Sequence, residues 1–142
     1  QASIVNLLNN FNVESIHFQK TCEDGKTIAI AIYQSDVSIE PSKEGILVKG
    51  VMSARISEST CSYDFKQADT YEELEKEFVK IVEQEMDEVL RVFQKVQSNA
   101  LGIGRSYYSR YRVKDFYSWT NQDITYDLNL KINKKGLTFE VE

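Results

Sequence analysis

One proline, one histidine, one tryptophan and two cysteines among 142 residues set the first limits on this chain. With only six glycines beside that proline, collagen-like repeats and proline-rich linkers are excluded. Cys22 and Cys61 are too few for a disulfide-dense secreted scaffold and form no Cys-x-x-Cys or Cys/His group suited to zinc. Sequence alone leaves them as one bond or two free thiols. No apolar run approaches the roughly 20 residues that a membrane-spanning helix requires. Basic residues are outnumbered, 17 Lys and Arg against 22 Asp and Glu, and the net charge of -5 argues against a protein that mainly coats nucleic acid. The chain begins at Gln1 without a basic stretch leading into an apolar one, so it reads as processed or excised from something longer.

What is present is a globular composition, 42% hydrophobic and 27% charged, at a length that suits one domain over 1–142. Ile4 to Leu8 reads as a short helix or cap, and Val13 to Phe18 as a strand. Glu23-Asp24-Gly25-Lys26 has turn composition, and Ile28, Ile30 and Ile32 then recur at period two with Ala29 and Ala31 between them. Val37 and Ile39 extend that strand, and Pro41, inside Glu40-Pro41-Ser42-Lys43-Glu44-Gly45, is expected to stop it. Ile46 to Ile56 is a further strand, in which Gly50 marks a bulge or a close backbone approach. The clearest segment runs from Tyr71 to Gln97, where Leu74, Phe78, Val82, Met86, Leu90 and Phe93 trace one stripe of a long helix. Thr70 and Glu73 read as its capping box. The acids Glu83, Glu85, Asp87 and Glu88 read as a solvated outer face in preference to a partner-binding one.

Gly102 and Gly104 read as a structural turn into a second, shorter helix from Arg105 to Phe116. Ile124 to Ile132 alternates apolar and polar residues without error, and Asn133-Lys134-Lys135-Gly136 turns into a returning strand carrying Leu137, Phe139 and Val141. Together these elements predict an α+β fold, a mostly antiparallel sheet packed against one long helix and one or two shorter ones.

Chemistry is thinly signed. His17 has no Ser, Cys or carboxylate at a spacing that makes it a catalytic base, and the carboxylates are densest on the exposed face of the long helix. Gly102-Ile103-Gly104-Arg105 lacks the third glycine of a dinucleotide fingerprint and the Lys-Ser/Thr of a phosphate loop. The reading is therefore no enzyme, no metal and no cofactor. Arg105, Tyr108, Arg110, Tyr111 and Arg112 form the basic-aromatic cluster of an acidic chain, with Trp119 beside it. Such residues suit a protein partner, anionic lipid or single-stranded nucleic acid, and equally suit plain packing of the rings with solvated charges. Trp119 by itself reads more readily as a core lid whose indole N–H wants a partner.

The run Phe93-Gln94-Lys95-Val96-Gln97-Ser98-Asn99-Ala100-Leu101-Gly102-Ile103-Gly104-Arg105, followed by aromatic and basic residues, Trp119 and an alternating strand into Lys134-Lys135-Gly136, resembles the C-terminal domain of the Ger(x)C family. Ile28-Ala29-Ile30-Ala31-Ile32 and Val48-Lys49-Gly50 fall in the matching order before it. Asn99 stands where the family usually carries Asp, a swap that a helix-terminal hydrogen bond tolerates. The resemblance implies the lipoprotein C subunit of a bacterial spore germinant receptor, non-catalytic, anchored by a lipidated cysteine to the outer face of the spore's inner membrane. It implies assembly with the integral membrane A and B subunits, a lipid anchor upstream of this segment and no nucleic acid. The surface at Arg105, Tyr108, Arg110, Tyr111, Arg112 and Trp119 is then the expected partner contact. The alternative from another class is a cytosolic anion- or nucleic-acid-binding domain that uses the cluster at 105–114.

Overall fold

A computed structural model of the chain describes residues 2–8, 16–23, 25–42, 45–96 and 118–133. In chain order these form helix α1 (Ala2–Leu8), strands β1 (Ile16–Thr21), β2 (Thr27–Ser42) and β3 (Gly45–Ser59), helix α2 (Ala68–Lys95), a 3-10 turn (Ser118–Asn121) and strand β4 (Ile124–Ile132). The sheet order is β1-β2-β3-β4. The first two pairings are antiparallel, whereas β4 runs parallel to β3, from Ile46 opposite Ile124 to Ala54 opposite Ile132. The fold is thus α+β with a mixed sheet. Parallel neighbours need a long crossover, and α2 lies within the one that joins β3 to β4.

Local chemistry explains the strand geometry. Gly25 takes φ +80° in the turn between β1 and β2, a conformation open to glycine at no steric cost. In β2 the inward residues are Ile28, Ile30 and Ile32, then Val37; the phase changes from even to odd because the register with β3 skips Tyr33. A bulge there adds one residue and turns the following side chains over. Pro41 does not end the strand, which runs on to Ser42. The reason lies opposite it. Ile46 pairs with Pro41 but donates its N–H to Asp123 O on the β4 side (2.8 Å), so this is a non-hydrogen-bonded pair and the missing proline N–H breaks no β2–β3 bond. Gly50 is a close approach, as the sequence suggests: a Cβ there would stand 2.9 Å from Val37 Cγ2 and 3.0 Å from Asp36 O.

Helix α2 begins ahead of the expected capping box. Its N-cap is Gln67, with no side-chain cap, and Thr70 lies inside the helix, donating its hydroxyl to Asp64 O (2.7 Å). Tyr71, Leu74, Phe78, Val82, Met86, Val89 and Leu90 are buried against the even-numbered face of β3 and the inward face of β4. By contrast Val92 and Val96 are exposed. Helix α1 packs against α2 and β2, adding Ile4, Leu7 and Leu8 to the same core. Both helices lie on one side of the sheet. On its other side the described residues present His17, Gln19, Arg55, Ser57, Asp127 and Lys131 to solvent.

Candidate functional site

Polar side chains of α2 hold β4 and the turn before it. Gln94 is 8% exposed; its amide donates to Trp119 O (3.2 Å) and Gln122 O (2.9 Å), while its carbonyl oxygen accepts from the Arg91 guanidinium (3.1 Å). Tyr126 donates its hydroxyl to Asp87 Oδ1 (2.8 Å), and Arg91 Nε stands 3.4 Å from the same oxygen. Burial, the bond to Asp87 and the nearby negative charge push the Tyr126 phenol far above its ordinary range, so it stays protonated and remains a donor. At the far end of β4, Ile132 donates its N–H to Glu75 Oε2 (2.8 Å). These contacts lock the strand to the helix from its entry to its end.

A second cluster joins the start of α2 to β1. Cys22, just beyond β1, and Cys61, just beyond β3, are bonded to each other, with Cα atoms 6.2 Å apart. Thr21 pairs with Thr27, and Thr27 with Thr60, so the bridge steps across the beginning of β2. Lys20 donates to the Tyr63 hydroxyl (3.1 Å) and pairs with Glu77 Oε2 (3.2 Å). The Tyr63 bond is the main influence raising the Lys20 pKa above its ordinary value, with Glu77 adding to it and partial burial opposing it. The rings of Tyr63, Phe65 and Tyr71 follow in tilted contact at 5.9 and 5.8 Å.

Two clefts flank α2. The larger, about 500 Å³, lies beside β4 and is lined by Glu75, Lys76, Val79, Lys80, Glu83 and Leu128, among others. The other, about 370 Å³, lies over the disulfide and Tyr63. Burial raises the carboxyl pKa of Glu83, and burial together with Glu88 raises that of Glu85. Two residues apart on a helix, those acids point to nearly opposite sides and cannot share a substrate as an acid-base pair. Of the four acids read as a solvated face, Glu88 is exposed and Glu83, Glu85 and Asp87 are partly buried; Asp87 is engaged with Tyr126 and Arg91. His17 is exposed on the open side of the sheet and lines neither cleft. Among the described residues no group of three His, Cys, Asp or Glu is placed to hold a metal ion.

Arg105, Tyr108, Arg110, Tyr111 and Arg112, the glycines Gly102 and Gly104, the second helix and the strand after Gly136 lie outside the described residues. Trp119 is described, and it is 1% exposed within the core, with no hydrogen-bond partner for its indole N–H among the described residues. That corrects its place in the expected partner surface. A ring so covered contributes packing to the turn before β4, and no contact face. Sequence reasoning overlooks Gln94, Glu75, Lys20 and Tyr63, and it sets Asp87 on the solvated face. Gln94 does leave a signal: it follows Leu90 by four residues on the buried stripe, where an apolar side chain is due.

The family model described as "Spore germination B3/ GerAC like, C-terminal" matches residues 1–136. Among solved structures, the crystal structure of the GerBC protein superposes with a TM-score of 0.61 at 14% sequence identity, covering 92% of this chain and 44% of that one. The chain therefore spans less than half the length of that protein. At such identity the likeness is one of fold. A search of curated proteins finds no match.

Proposed function

Because the chain belongs to the spore germination B3/GerAC-like C-terminal family, we propose that it is the C-terminal module of a germinant-receptor C subunit, one that assembles the receptor and passes on nutrient detection without performing chemistry. The match over residues 1–136 is the observation that carries this reading. The disulfide supports it independently. Such bonds persist in oxidising surroundings and are rare where cellular thiols keep cysteines reduced, which suits a domain held outside the inner membrane of the spore. With Cys22 and Cys61 joined to each other, neither is free to carry the lipid of such a subunit. The clasped β4 and its turn suit a rigid presenting surface, since side chains that fix a strand at three points leave it little freedom to rearrange.

In this reading the partners are the integral membrane A and B subunits, engaged through Arg105, Tyr108, Arg110, Tyr111 and Arg112. Charge reversal at two of these positions tests it. Capture of a membrane subunit by the R110E/R112E chain should fall well below that by the wild type, while its circular dichroism stays unchanged. Equal capture would remove this surface from the proposal.

A further inference from the structure

The cleft over the disulfide, bounded by Lys20, Cys22, Glu23, Cys61, Tyr63 and Glu77, holds a chain of groups that the receptor reading does not use. Both cysteines are only partly buried, so a small thiol can reach the bond between them. Beneath it the Tyr63 hydroxyl stands 3.7 Å from Cys22 Sγ. Since that sulfur is disulfide-bonded and carries no proton, the phenol is the only possible donor of the two. Lys20 donates in turn to the Tyr63 oxygen at 3.1 Å, which strengthens the phenol as a donor. The relay is directional, from ammonium to phenol to one sulfur of the pair.

The segment that the bond restrains is equally specific. Thr60 ties the end of β3 to Thr27, and Asp64 organises the approach to α2 by accepting from Lys66 N, Gln67 Nε2 and, through its carbonyl, Thr70. Between these anchorages Cys61 and Tyr63 hold the connection against β1. Opening the bond would free that short span, with the Phe65–Tyr71 ring contact, and leave the hydrophobic contacts of α2 from Leu74 onward intact.

We propose that Cys22–Cys61 is a reducible latch on the β3–α2 connection, opened by small dithiols through attack on Cys61, with Cys22 leaving under the stabilisation of Tyr63 and Lys20. One thiolate of the dithiol attacks Cys61 Sγ; the S–S bond breaks, and its electron pair departs on Cys22 Sγ, where the Tyr63 hydroxyl donates a hydrogen bond to it. The second thiolate of the reductant then attacks the mixed disulfide, releasing Cys61 as thiolate and closing the reductant into a cyclic disulfide. The two protons of the dithiol end on Cys22 and Cys61. The sulfur that accepts a hydrogen bond is the better leaving group, which fixes the direction of attack. This inference stands on the cleft alone and is independent of the receptor reading.

The test is native-state reduction of the whole chain by dithiothreitol, with alkylation of the thiols formed and hydrogen exchange followed by mass spectrometry. Both cysteines should alkylate without denaturant, and amides between 60 and 67 should exchange faster while those of 78–90 keep their protection. Tyr63→Phe, which retains the disulfide, should slow reduction by at least about five-fold, the scale of one lost hydrogen bond to a charged sulfur. Glutathione, which cannot close on itself, should be trapped on Cys61. Alkylation only after denaturation, an equal rate in Tyr63→Phe, trapping on Cys22, or loss of protection throughout α2 would each overturn the latch.

Discussion

Gln94 shows how one buried polar side chain can set the course of the chain. Its amide satisfies two backbone carbonyls of the turn before β4 and its oxygen takes a guanidinium proton, so all the bonds are specific to Gln. Gln94→Ala should lower stability by about 1–3 kcal/mol, measured as a fall in the urea midpoint, because Trp119 O and Gln122 O lose their donor. Gln94→Glu is nearly the same shape yet turns an oxygen toward those carbonyls; it should be at least as damaging at neutral pH and recover part of the loss in acid. Glu83 and Glu85 carry a pH-dependent penalty of the same sign in the wild-type chain. Burial raises their folded pKa above the ordinary 4.5, so their relative stability is greatest below that value and is lost as pH rises through the folded pKa. The Glu83→Gln/Glu85→Gln chain should therefore unfold at a higher urea midpoint at pH 7 than the wild type, with the difference vanishing near about pH 4. Residue chemistry is the least legible part of the sequence. A lysine, a tyrosine and a glutamate at 20, 63 and 77 announce nothing until the sheet and helix bring them together.

Elements are more legible, and the errors among them have identifiable causes. Alternation in 124–132 and the stripe in 71–90 show in the sequence because burial on one face writes its period there directly. The bulge at Tyr33, the continuation of β2 through Pro41 and the parallel course of β4 do not, since each depends on which strand lies alongside. Thr70 has the residue type of a cap, but the turn at Asp64 starts α2 earlier and claims its hydroxyl. The β2–β3 pairing is tight where Gly50 crosses Val37, so Gly50→Val should destabilise by about 1–3 kcal/mol through overpacking, read from thermal unfolding. The cysteine pair spans 39 positions, a loop whose closure is worth about 4 kcal/mol in the unfolded chain. Cys22→Ser/Cys61→Ser should accordingly melt at a markedly lower temperature while keeping the native circular dichroism at 25 °C. A melting point equal to that of the oxidised chain would show that the bond contributes no stability.

At the scale of the whole molecule, the described residues place two helices on one side of a mixed sheet, in a chain whose charge balance is acidic. The family to which the chain belongs is legible in the run at 93–105 itself, and the match over 1–136 agrees with that resemblance. The partner surface proposed at 105–112 is not legible to the same degree. Its basic-aromatic residues suit several kinds of partner, whereas Trp119, which the sequence sets beside them, belongs to the core. Co-purification from detergent-solubilised spore membranes, comparing the complete protein with a version lacking the segment equivalent to residues 1–136, bears most directly on the proposed assembly role. The integral membrane subunits should come down with the complete protein and be lost from the shortened one, even though both remain anchored to the membrane; equal recovery with the two proteins would contradict an assembly role for this domain.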